Sequence, residues 1–125
     1  LPRVKIVYTP PFITEQARID LFTSSHIVLG WHSGPNISNG NVVERVFEGL
    51  AFGSVVITDN PFALEATDGN VLFADTYAQT KEYFQRIIGD EKFRISLQTK
   101  GLAWAKAHGT YESVAASFVE RMHSL

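Results

Sequence analysis

Short runs of β-branched and aromatic residues alternate with longer stretches of helical period along this chain, and that alternation restricts its fold more than any other feature. Strand and helix in succession build βα units, in which each helix carries the chain back so that the next strand can join a parallel sheet. The runs Val4–Tyr8, His26–Trp31, Ser54–Thr58 and Val71–Ala74 predict a mostly parallel sheet of about four strands with flanking helices. The expected fold class is therefore α/β, a Rossmann-like three-layer arrangement with a C-terminal helical tail. His26–Trp31 is a nearly continuous apolar run, as expected of a strand covered by helices on both faces.

The connecting segments carry helix and turn signals. Pro10 and Pro11 halt the first run, and Thr14 can cap a helix in which Ala17, Leu21 and Phe22 recur at helical spacing. Ser33–Asn41 is rich in turn formers and reads as a long shaped loop. A helix Val42–Phe52 follows, with Val43, Val46, Phe47, Leu50 and Ala51 on its apolar face and Gly53 as its stop. Asn41 and Glu44 have the spacing of an N-cap and its reciprocal partner. Asp59, Asn60 and Pro61 form a turn, with a short helical turn over Ala63–Thr67. Tyr77–Ile88, Glu91–His108 and Tyr111–His123 read as three closing helices, the last two begun by Asp90 and Thr110.

Composition narrows the function classes. A chain of 125 residues suits one domain, and no linker or repeat divides it. With 11 basic and 13 acidic residues spread along it, the chain has no basic stripe, and nucleic acid is not an expected partner. The absence of cysteine excludes disulfides and thiolate metal sites and points to a cytoplasmic setting. Apolar runs such as Ile27–Leu29 and Val55–Ile57 fall far short of the ~20 residues of a spanning helix, so no integral membrane segment is expected. No leader precedes the first run, and the chain reads as starting inside a domain. His26, His32, His108 and His123 show no metal-ligand spacing, and neither a metal nor another cofactor is expected.

In an open parallel sheet, ligands bind beyond the carboxyl ends of the strands, where loops meet helix N-termini. That rule selects the loop Ser33–Asn41 and the start of the helix after it, whose unpaired N–H groups favour an anion such as a diphosphate. Gly34 and Gly40 permit close backbone approach, while Ser33, Ser38, Asn39 and Asn41 offer hydrogen bonds and Arg45 a cation. Glu48, further along the same helix, can accept two hydrogen bonds from the vicinal hydroxyls of a ribose. Gly49 costs a helix interior roughly 1 kcal/mol relative to Ala, which calls for close packing against a strand or ligand. Glu44 reads as a capping partner, and His32 as a solvated or packed histidine at a strand end, with a phosphate contact or proton shuttle as the alternative. Trp31 and Phe73 read as core aromatics, with stacking on a base as the alternative. Asp59 and Asn60 lie at the ligand edge as turn formers.

The segment from Asn41 to Asp59, NVVERVFEGLAFGSVVITD, resembles the signature of GT-B glycosyltransferases of the broad group-1 family. The likeness extends through Asp68–Phe73, the paired helices beyond, and His108–Tyr111, covering roughly residues 25 to 120. The resemblance implies that Glu48 holds the ribose of a nucleotide-sugar donor and that the preceding loop and helix start hold its diphosphate. Many relatives place a second glutamate eight positions earlier, where this chain has Gly40. The resemblance also implies that the chain is part of a donor-binding domain. The family's phosphate-binding Arg and Lys and its acceptor domain would then lie upstream, so the part alone is expected to be inactive. A truncated sheet would favour a homo-oligomer or an absent partner domain. A nucleotide-sugar epimerase and a non-catalytic interaction module are the alternative readings.

Overall fold

Three of the four expected strands form a parallel sheet in the order β1-β2-β3: β1 is Ile27–Gly30, β2 Val55–Thr58 and β3 Leu72–Phe73. They belong to a computed structural model that describes Lys5, Val7 and residues 12–124. The expected strand Val4–Tyr8 lies outside the described residues except for Lys5 and Val7, which occupy no regular element. Val28 pairs with Val56 and Ile57 with Leu72, a register that aligns the carboxyl ends of all three strands along one edge.

Helices separate the strands. α1 spans Glu15–Thr23, α2 Gly34–Ser38, α3 Glu44–Ala51, α4 Pro61–Ala66, α5 Tyr77–Gly89, α6 Glu91–His108 and α7 Tyr111–His123. Most begin where a short polar side chain can take an orphan N–H. Thr14 accepts from Ala17 N–H, Asn60 from Phe62, Thr76 from Gln79, Asp90 from Phe93, and Thr110 from Ser113.

Two expectations fail around α3. Ser33–Asn41 is not all loop, because Ser33 Oγ accepts from Asn36 N–H at 3.3 Å and Pro35 presets the first turn of α2. The Asn41–Glu44 capping box does not form: α3 starts at Glu44, its N-cap is Val43, and no side chain of the cap residue takes part. Asn41 is engaged elsewhere, its N–H donating to Asn36 O at 2.9 Å and its carbonyl accepting from Asn60 Nδ2 at 2.7 Å.

Because side chains alternate across a strand, the sheet feeds two cores. Val28 and Val56 join Phe22, Val46, Leu50, Ala63, Val71 and Ala105 in one, under α1, α3, α4 and α6. Val55 and Ile57 join Ala74 and Ile87 in the other, with Leu29, Phe84 and Phe93 packed around them from β1, α5 and α6. α3 lies directly on the sheet. A β-carbon at Gly49 would fall 2.6 Å from Val56 Cγ2, and one at Gly30 2.7 Å from Val46 Cγ2, so only glycines allow this approach. The requirement at Gly49 therefore comes from the strands. On the outer side Phe47 stacks on Trp104 of α6, with ring centroids 6.4 Å apart, which clamps α3 between sheet and helix. Ala51, expected on the apolar face, is exposed.

Candidate functional site

Laying α3 flat on β1 and β2 carries its amino end to the carboxyl edge of the sheet, where α1 and α2 flank it. Between them opens a cleft of about 550 Å³ lined by Arg18, Phe22, Asn36, Asn41, Val42, Val43, Glu44, Arg45 and Glu48. Its lining combines apolar Phe22, Val42 and Val43 with charged Arg18, Glu44, Arg45 and Glu48.

Glu48 faces this cleft. Its Oε1 lies 2.8 Å from an Arg18 guanidinium nitrogen, and both side chains are about a third exposed, at 31% and 33%. The partner is thus a cation of α1. Arg18 fixes the direction of the carboxylate while leaving it in contact with solvent. At the helix start, the N–H groups of Glu44 and Arg45 have no hydrogen-bond partner among the described residues, and Val46 N–H bonds Val43 O. Two orphan donors and the positive end of a helix therefore border the same cleft as Glu48.

The Val43 N–H is taken by a different group. His32, its side chain fully buried, accepts it at Nε2 across 3.0 Å. The ring proton then sits on Nδ1, 3.2 Å from Asp59 Oδ1, and the same oxygen accepts His32 N–H at 3.0 Å. Both ring nitrogens are spent inside the protein, so His32 acts as a remote cap for α3 that is locked by Asp59.

Of the residues expected from sequence, Asn41, Arg45 and Glu48 come together in the cleft, whereas Ser33, Gly34, Asn39 and Gly40 do not line it. Ser33 caps α2, Ser38 Oγ donates to Gly34 O, and Asn39 N–H donates to Pro35 O. Gly40 adopts φ +70°, and a β-carbon there would touch the Phe62 ring at 3.9 Å. Arg18 and Asn36 line the cleft without having been singled out by any spacing in the sequence, and Glu44 lines it instead of capping. Among the described residues no cluster of three potential metal ligands occurs.

A second recess, about 410 Å³, opens where the three strands end and α5 begins. Leu29, Trp31, Asp59, Ala74, Asp75, Thr76, Tyr77 and Thr80 line it. Trp31, expected in the core, is instead 40% exposed, because the chain leaves β1 at Gly30 and turns its side chain out at the sheet edge.

No helix of the described residues is long and apolar enough to cross a membrane. No curated protein and no solved structure matches the chain. A family model described as glycosyl transferase-like matches residues 5–120, which takes in all three strands, the cleft and both arginines at its rim. With nearly its whole length covered, the chain belongs to the glycosyl transferase-like family.

Proposed function

We propose that the cleft at the amino end of α3 binds the nucleoside diphosphate of a nucleotide-sugar, and that the chain is the donor-binding part of a GT-B sugar transferase. The observation that carries this reading is the placement of Glu48, held by Arg18 on the accessible wall of a cleft that also receives two unpaired helix N–H groups. A carboxylate so held can accept both vicinal hydroxyls of a ribose, while the orphan N–H groups and Arg45 suit a diphosphate.

In transfer, the acceptor oxygen forms a bond to the anomeric carbon as the bond from that carbon to the diphosphate oxygen breaks. The electron pair leaves with the diphosphate, and the acceptor proton passes to a base. The α3 terminus and the rim arginines stabilise the charge that develops on the leaving group, an arrangement that works without a metal. On this reading the described sheet is one edge of a four-stranded Rossmann-like layer in a single α/β domain. The acceptor domain and the base belong to other parts of the transferase.

Calorimetric titration with UDP, GDP and ADP tests the proposal. At least one should bind saturably, and Glu48→Gln should weaken it about tenfold or more, in line with the loss of a charge-assisted hydrogen bond. If none of the three binds, or if binding is indifferent to Glu48, the reading is wrong.

A further inference from the structure

The recess at the carboxyl ends of β1, β2 and β3 differs chemically from the Glu48 cleft. Its charged groups are Asp59 and Asp75, with no lysine or arginine among the described residues of its lining. Two carboxylates with no countercharge among the described lining residues disfavour a phosphate there, despite the amino end of α5. Around the carboxylates stand two exposed aromatic side chains, Trp31 and Tyr77, the latter 83% exposed at the first position of α5, and the hydroxyls of Thr76 and Thr80.

The polar groups retain capacity for a ligand. Asp59 uses Oδ1 for His32, and among the described residues its Oδ2 accepts no hydrogen bond. The Asp75 carboxylate likewise has no partner among them, although its backbone N–H is bound by Gln79 Oε1 at 3.0 Å. Thr76 Oγ1 accepts Gln79 N–H and keeps its own proton to donate, while Thr80 Oγ1 donates to Thr76 O and keeps its lone pairs. Flat apolar rings, outward carboxylates and spare hydroxyls in one recess match a neutral polyhydroxylated ring. Its C–H face can lie on an aromatic side chain while its hydroxyls donate to carboxylate oxygens. At about 410 Å³ the recess falls in the size range of small-molecule sites.

We propose that this recess is a carbohydrate subsite that takes a neutral pyranose ring, separate from the diphosphate cleft. That it stands apart from a donor site rests on the reading above; its affinity for sugar does not. Hydrogen bonds through His32 link the two sites. Asp59 lines the recess, holds His32, and through it fixes Val43 at the mouth of the cleft.

The test is saturation-transfer NMR on the protein with methyl glucoside, galactoside, mannoside and N-acetylglucosaminide, alongside choline and UDP. At least one glycoside should bind saturably, and Trp31→Ala and Asp75→Asn should each weaken it tenfold or more. Glu48→Gln should leave glycoside binding unchanged and weaken only the nucleotide. Trp31 and Asp75 are at the surface, and a native-like proton spectrum of each variant confirms that it folds. Where Trp31→Ala fails that control, Asp75→Asn and Tyr77→Ala decide the question. Glycoside binding without nucleotide binding would uphold the subsite and remove the donor reading. Choline binding without glycoside binding, glycosides that do not bind at all, or glycoside binding indifferent to these substitutions would each overturn the subsite.

Discussion

Replacing Gly49 by alanine adds one methyl group to α3 where the helix meets the sheet. The new carbon would stand 2.6 Å from Val56 Cγ2, 3.2 Å from Val28 Cβ and 3.3 Å from Val28 Cγ1. Ordinary contact begins at 3.4 Å, so the first neighbour is too close by 0.8 Å (3.4 minus 2.6). Val56 and Val28 are 1% and 9% exposed, and branching at Cβ leaves each few alternative rotamers, so neither can turn aside. The helix must lift from the strands. Overpacking of this kind costs about 1–3 kcal/mol, and a clash this deep belongs at the upper end. Alanine returns roughly 1 kcal/mol of helix propensity, leaving a net loss of about 2 kcal/mol. For a chain of this size that lowers Tm by roughly 5–10 °C. Urea unfolding followed by circular dichroism measures it, and a Val56→Ala partner isolates the cause. Val56→Ala alone should destabilise by about 2 kcal/mol, yet together the two changes should cost clearly less than their sum, with a coupling of about 1 kcal/mol or more. A Gly49→Ala protein as stable as the parent, or strict additivity in the cycle, would refute the packing argument.

Further expectations concern the polar frame. His32→Phe removes the acceptor of Val43 N–H and leaves Asp59 without its ring partner, so it should destabilise by about 2–4 kcal/mol in the same unfolding assay. Asn60→Ala loses both the cap on Phe62 N–H and the bond to Asn41 O, and about 2–3 kcal/mol is expected in chemical denaturation. Arg18→Ala breaks a pair that is one-third exposed, so stability should change by less than about 1 kcal/mol, while calorimetry should show weaker nucleotide binding as Glu48 loses its orientation.

The helices α6 and α7 were legible because Asp90 and Thr110 are strong local caps, and the structure uses both as such; α5 was legible from its period, and its cap Thr76 was not singled out. The strands were legible from their runs, though the segments that pair in the sheet are shorter than the runs, as Val71–Ala74 contracts to Leu72–Phe73. What escaped were contacts made across the fold. Asn41 has every local qualification of an N-cap, but the carbonyl and N–H of its own backbone are claimed by Asn60 and Asn36, and His32 caps from a position that only the sheet brings near. Arg18 shows the same limit: nothing in the spacing of α1 connects it with a carboxylate on α3. Glu48 and Arg45 could be picked out because they sit on the helix that follows a strand end, where topology alone directs a ligand.

The cap that His32 supplies has a mechanical consequence. Since Asp59 anchors the imidazole from behind, Val43, the residue that leads into α3, is tied to the sheet edge before any anion arrives. A change at Asp59 is thereby felt at the amino end of α3, on the far side of the imidazole.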